Sequence, residues 1–489
     1  MQPVVFRCDA SAAGIPLPHI WEHTVGSGHA PLAQRADYRM QLARCHRELG
    51  FRHVRFHGLL SDGMGTLVCE RDALVYSFFN ADQIWDWLLS LGMRPFVELS
   101  FMPTTLASGG TTVFHYQGNV TPPRRYADWF TLIQLFASHC VARYGADEVR
   151  QWFFEVWNEP NLNAFWTGSQ QDYFELYRQT ALALKTVDAS LRVGGPATAD
   201  NAWIAEFLDF GEAEGVPPDF ISTHHYPTDA FGKPGDDTES QLADSTRSAL
   251  RDEARRVHAL ARGRPVYYTE WNTSSNSRDP LHDEPYAAAV IVKTMLEATG
   301  LAAGYSFWTF SDIFEENYFS SVPFHGGFGL LDIYGIAKPS YRAFEVLHQL
   351  GTELIASMSN VHSTVDGWAI RGPAEQGLTV VLTNHALPRH PISTERVCVH
   401  IDRVAPPHAL TVRRIDASQA NPKSAWLAMG APAYPSPRQV EALHAASDLV
   451  WEPLDAQCEG HTLHVELDLP PHAVAAVTLQ AGPARDGPA

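Results

Sequence analysis

Along the first two thirds of the chain, apolar residues recur with a helical period, and most such stretches close on glycine before a short apolar run begins. In ADYRMQLARCHREL (36–49), Tyr38, Leu42, Cys45 and Leu49 share one helical face, Gly50 can cap, and FRHVRFHG (51–58) reads as a strand. QIWDWLLSLG (83–92) before MRPFVELSF (93–101) repeats the unit, as does DWFTLIQLFASHCVARYG (128–145) before VRQWFFEVWNE (149–159). The rhythm continues through DYFELYRQTALALKTV (172–187) and LRVGGPAT (191–198), then WIAEFLDFGEAEG (203–215) and DFISTHHYP (219–227). It runs out with LADSTRSALRDEARRVHALARG (242–263) before PVYYTEWN (265–272), PYAAAVIVKTMLEATG (285–300) before AGYSFWTFSD (303–312), and a last helix in SYRAFEVLHQLG (340–351).

With a first strand in LPHIWEHTVG (17–26), there are eight strands, each followed by helix-bearing sequence. That predicts a TIM (β/α)8 barrel over residues 17–345. An open doubly wound sheet is the alternative, but no G-x-G-x-x-G opens the first helix as a dinucleotide site requires.

Beyond the last helix the pattern shortens to alternating runs, GLTVVLTN (377–384), RVCVHIDRV (396–404), ALTVRRIDA (409–417) and HTLHVELDL (461–469). These predict an antiparallel β-sandwich over 346–489, interrupted by a Pro- and Ala-rich excursion at 421–449. Within residues 1–16, PVVFRCDA (3–10) is expected to add an edge strand to it. A chain of 489 residues is long enough for these two cores.

A formal net charge of −19 disfavours nucleic acid and anionic membranes as partners. The six cysteines lie far apart with no C-x-x-C pair, and read as mostly buried free thiols. The opening MQPVVFRCDASAAG lacks a basic segment before a long apolar run, and nowhere do 18 apolar residues run together, so the expected location is cytoplasmic.

FEVWNEPNL (154–162) carries two glutamates four positions apart. Pro160 biases Glu159 away from helical geometry, so the segment reads as a strand ending at a turn. Reactive groups of a barrel stand at the C-terminal ends of its strands, which selects Glu159 and leaves Glu155 as a structural carboxylate inside the barrel. A second carboxylate, Glu270 in VYYTEWN, ends the seventh strand. Two carboxyls flanking a pocket are what glycoside hydrolysis needs.

The N-E-P and T-E-W segments resemble the acid/base and nucleophile segments of clan A glycoside hydrolases, and within that clan the chain resembles family 39, closest to its bacterial β-xylosidases. VGSGHAPLAQRADY (25–38), HVRFHGLLSDGMG (53–65), PFVELSFMP (95–103), STHHYPTD (222–229), FWTFSDIFEE (307–316) and FHGGFGLL (324–331) carry the resemblance further. It implies a retaining exo-acting β-D-xylosidase without a cofactor, whose partner is a small carbohydrate. Glu159 is then the general acid/base and Glu270 the nucleophile.

Arg55 and His57, two apart on one strand, share a face; Arg55 is the expected donor to Glu270, and His57 resembles a sugar-hydroxyl ligand. Asn158 can donate to the sugar 2-hydroxyl, and His224 and Tyr226 are expected to assist Glu270 and the substrate. Trp308 offers a flat face to a sugar ring. Glu315 and Glu316 look like the family's hydroxyl-binding carboxylates.

Adjacent His224 and His225 point apart and lack a third ligand at zinc-like spacing, so no metal is expected. Two readings stay open beside the xylosidase: the same chemistry on an iduronide, glucoside or arabinoside, and a non-catalytic carbohydrate-binding barrel. No Lys or Arg stands near Glu315 and Glu316 in sequence to meet an iduronate carboxylate.

Overall fold

The computed structural model describes residues 3–71, 73–229, 237–316, 321–359, 363–372, 377–404 and 409–480. Eight parallel strands close into a barrel: β1 (Thr24–His29), β2 (His53–His57), β3 (Arg94–Leu99), β4 (Phe153–Val156), β5 (Arg192–Thr198), β6 (Phe220–His224), β7 (Val266–Trp271) and β8 (Gly304–Phe307). Phe307 opposite Val25 completes the ring. Among the described residues no helix is long and apolar enough to cross a membrane.

The first strand lies further on than the expected 17–26. Ile20–Glu22 forms a 3-10 turn with Ile20 and Trp21 buried, and the strand is TVGSGH. Its glycines disguise it as a loop, but they are needed there. A Cβ on Gly26 would stand 2.5 Å from the Trp308 ring, so only glycine lets β1 approach the end of β8.

Helix α1 (Ala36–Leu49) buries Tyr38, Leu42, Cys45 and Leu49 and ends on Gly50 at φ 74°. The single helix expected at 242–263 is instead two, Thr238–Ala243 and Ala249–Leu260. The break in S-T-R-S lets Arg247 reach the second domain, where it donates to the Thr364 carbonyl (3.0 Å) and pairs with Asp366. Two short hairpins that the periodicity did not reveal, Leu67–Glu70 with Ala73–Tyr76 and Thr112–Val113 with Gly118–Asn119, sit in the loops after β2 and β3.

The C-terminal region is a sandwich of a seven-stranded and a four-stranded sheet. Phe6, Val380, Val399, Val412, Val465 and Val477 fill the space between them. It is not wholly antiparallel: Val4–Asp9 pairs parallel with Glu395–Asp402, Val4 opposite Val397. The excursion at 421–449 forms two helices, Pro422–Ala428 and Pro437–Ala446, which return to the barrel. Lys423 pairs with Glu284 at 2.6 Å, and Arg342 donates to the Ser447 carbonyl at 2.6 Å. The expected boundary at 345 therefore falls inside helix Pro339–His348, which carries Arg342.

Candidate active site

Alternation along the strands sorts the barrel interior into layers. Phe96, Phe153, Phe220 and Tyr267 form the lowest one. Two residues on, Arg55, Glu98, Glu155 and Thr269 form a polar layer: Arg55 meets Glu155 at 2.6 Å and Glu98 at 2.9 Å, and Thr269 donates to Glu155 at 2.7 Å. Above it Arg55 Nη1 donates to Glu270 Oε1 at 2.6 Å and Nη2 to Asn158 Oδ1 at 2.9 Å. All of these side chains are buried.

Neither candidate carboxylate arrives by simple alternation. Tyr267 and Thr269 face inward on β7, so Glu270 would face out, but the register shifts between Thr223 and His224 place His224 opposite Glu270. The irregularity turns Glu270 into the barrel. Beyond β4, Trp157 (φ 71°) and Glu159 (φ 43°) adopt left-handed backbone. That turn sends the Trp157 ring against Trp129 and Trp166 and leaves Glu159 over the barrel mouth.

A carboxylate oxygen of Glu159, one of Glu270 and a ring nitrogen of His224 all lie within 4.8 Å of one another. Tyr226 donates to Glu270 Oε2 at 3.0 Å. His224 Nδ1 is 3.0 Å from Glu159 Oε1 and 3.6 Å from Glu270 Oε2. The expected assistance of His224 to Glu270 thus goes first to Glu159, because Arg55 and Tyr226 already occupy Glu270.

Burial, and then the charge of Glu270, raise the Glu159 carboxyl well above the usual carboxylate range. Burial followed by Glu270, Glu98 and Glu159 does the same to Glu316. Glu98 is lowered despite its burial, because Arg55 and His57 stabilise its charge. Burial pushes His224 well down, with Arg55 and His57 adding to it, so its ring is neutral.

The trio of Glu159, His224 and Glu270 supplies in space the third donor that the spacing of His224 and His225 lacked. His225 turns away to Asp200 at 3.1 Å. Arg55, shared among Glu98, Glu155 and Glu270, stands 2.6 Å from the Glu270 member of the trio.

The two adjacent carboxylates separate. Glu316 points inward, with His57 Nε2 at 3.4 Å, while Glu315 turns to the rim and meets Arg35 at 2.5 Å. Arg35, placed just ahead of α1, is the basic neighbour that proximity in sequence did not show; it also binds Asp37 at 2.8 Å. Trp308 is only 3% exposed, with its ring 4.8 Å from that of His57, so it forms a narrow wall rather than an open platform.

Sequence reasoning passed over Glu98, whose carboxylate holds His57 Nδ1 at 2.7 Å. Its signal was a lone charge inside the apolar run PFVEL, on the same face as Phe96. Tyr116 and His115 were missed as well, because they arrive on a hairpin with no periodic pattern. Among the described residues, buried Glu316 Oε1, Tyr116 Oη and His224 Nε2 have no hydrogen-bond partner, and a polyhydroxylated ligand can satisfy such groups.

A closed parallel barrel bearing two close carboxyls at the ends of its fourth and seventh strands is the architecture of a retaining glycoside hydrolase. The family model of glycosyl hydrolases family 39 matches residues 4–461, and the chain belongs to that family. A beta-xylosidase of Caldicellulosiruptor saccharolyticus is 49% identical over 94% of this chain and 95% of its own length. One from Geobacillus stearothermophilus is 36% identical over 94% and 92%. The crystal structure of a monomeric beta-xylosidase from Caulobacter crescentus CB15 superposes with a TM-score of 0.84 at 34% identity, covering 98% of this chain and 99% of that one.

Proposed function

We propose that this enzyme is a retaining, exo-acting β-D-xylosidase that releases xylose from short xylo-oligosaccharides, with Glu159 as general acid/base and Glu270 as nucleophile. The observation that carries the reading is the spacing of the pair. Carboxylate oxygens within 4.8 Å fit the ~5–5.5 Å of retaining enzymes and leave no room for the water that inverting enzymes place between carboxyls ~6.5–9.5 Å apart. The similarity to beta-xylosidases over nearly the whole chain supports xylose as the sugar.

Glu159, kept protonated by burial and by Glu270, gives its proton to the glycosidic oxygen as the bond to the anomeric carbon breaks. Glu270, held by Arg55 and Tyr226, attacks that carbon and forms a glycosyl-enzyme. Glu159, now ionised, takes a proton from water, which attacks the same carbon and frees Glu270. The Asn158 oxygen is occupied by Arg55, so its amide N–H groups are turned toward the sugar 2-hydroxyl. Glu316, His57, His224 and Trp308 are positioned to bind the remaining sugar surface, and Glu315 braces the rim through Arg35. No step draws on a cofactor.

The His115 backbone N–H donates to the Glu316 carbonyl at 3.1 Å, tying the hairpin after β3 to the loop after β8. That bridge across one end of the pocket supports exo action. All six cysteines are free and two are exposed, which supports a reducing, cytoplasmic setting. Arg35 is already balanced by Asp37 and Glu315, so it does not favour an iduronide.

Glu159→Ala is expected to lower turnover of xylosides with poor leaving groups by ~10²–10⁴-fold. Azide should restore activity on activated aryl xylosides and yield the β-xylosyl azide. Full activity without azide would remove Glu159 from the mechanism. A nitrophenyl-sugar panel that is blank on β-xyloside but turns over another sugar would overturn the substrate.

A further inference from the structure

The barrel and the sandwich meet across a second cleft, of about 600 Å³, which shares no residue with the catalytic pocket. Its size falls within the range of ligand sites. Alternation builds its sandwich side. Val380, Val412 and Val477 point into the sandwich core, so Thr379, Arg413 and Thr478 on the same strands face out toward the barrel. Gln349, just past the last barrel helix, and Trp451 also line it.

Arg413 is the unusual member. It is 3% exposed, yet among the described residues it makes no ion pair. Its Nη1 donates to Gln349 Oε1, and its Nε has no partner. Glu345, the nearby carboxylate whose field reaches it, is paired with Arg342 at 2.5 Å. Burial accordingly pushes Arg413 down to about 10. A buried guanidinium without a counter-ion is costly, and a carboxylate is the planar anion that its fork matches.

The guanidinium carbon lies 3.9 Å from the centre of the Trp451 ring, and Trp451 is 47% exposed. An indole with one face covered by a cation and part of its surface open to a cleft can stack against the C–H face of a sugar. Thr379, Thr478 and Gln349 add neutral hydroxyl and amide groups suited to sugar hydroxyls.

We propose that this cleft binds an acidic saccharide, a hexuronate unit whose carboxylate is taken by Arg413 and whose ring lies against Trp451. It is separate from the catalytic pocket and independent of which glycoside is cleaved there. It draws on the family only in taking a sugar as ligand.

The test is tryptophan fluorescence and calorimetry on the full chain with four probes: D-glucuronate, glucuronate-substituted xylotriose, plain xylotriose and inorganic phosphate. The glucuronate-bearing ligands should bind saturably, and Arg413→Gln should weaken them by about ten- to hundredfold. Trp451→Ala, at an exposed position that leaves the fold intact, should weaken them as well. Both variants should keep the wild-type kcat/KM on p-nitrophenyl β-xyloside. Binding that neither substitution alters, equal binding of plain xylotriose through Arg413, or displacement by phosphate at the same concentration would each overturn the proposal.

Discussion

At the N-terminal end of the barrel Phe96, Phe153, Phe220 and Tyr267 close on one another, and His23 stacks on His53 at 4.5 Å. Two or three residues further along the same strands, Glu98, Glu155 and Glu270 crowd around Arg55. One end is an apolar plug in which even the imidazoles are kept neutral: burial lowers His53 to about 4. The other gathers several carboxylates around one guanidinium and holds Glu159 protonated. The contrast shows that a period of two carries a barrel from an apolar to a charged layer within about 7 Å of strand, and that breaks in that period deliver Glu270 and Glu159.

The sharpest way to break this contrast is Glu270→Gln. Turnover should fall by ~10⁴-fold or more, the size of loss seen when a covalent nucleophile is removed. The melting temperature should hold or rise, because Gln still accepts from Arg55 and the repulsion on Glu159 and Glu316 is gone. Loss of fold in this variant would show that the upper end is structural too.

Phe153→Ala probes the plug. Unfolding free energy in a denaturant titration should drop by about 3–5 kcal/mol, while kcat of the folded enzyme stays near wild type. A large fall in kcat would couple the two ends.

His53 gives the smallest effect. Its folded value of about 4 lies below the unfolded ~6.5, so the unfolded chain binds more protons between those values. The stability that neutral His53 provides is present above pH ~6.5 and lost as pH falls toward about 4, up to about 3 kcal/mol. His53→Gln should flatten the melting temperature against pH over that window, and an unchanged slope would clear His53 of the acid sensitivity.

The barrel was legible because helical and strand periods alternate over most of 17–345, and strand-end placement singled out Glu159 and Glu270. What stayed hidden depends on contacts between distant segments. Gly26 of β1 answers to Trp308, and the inward turn of Glu270 answers to a register shift against His224. The pairing of Glu315 with Arg35 joins positions 280 residues apart, and the hairpin bearing His115 and Tyr116 has too few residues to show a period. Glu98 could have been found, since a charge buried in an apolar strand needs a partner.

The parallel pairing of Val4–Asp9 with Glu395–Asp402 also has a meaning in time. A ribosome adding residues at the usual pace needs roughly 20 to 80 s after making Val4–Asp9 before its partner exists. Through that interval the barrel sequence can emerge and close, while Val4–Asp9 waits as an unpaired edge. A region made after the barrel thus captures one made before it, so this edge of the sandwich forms only once the barrel sequence has been synthesised.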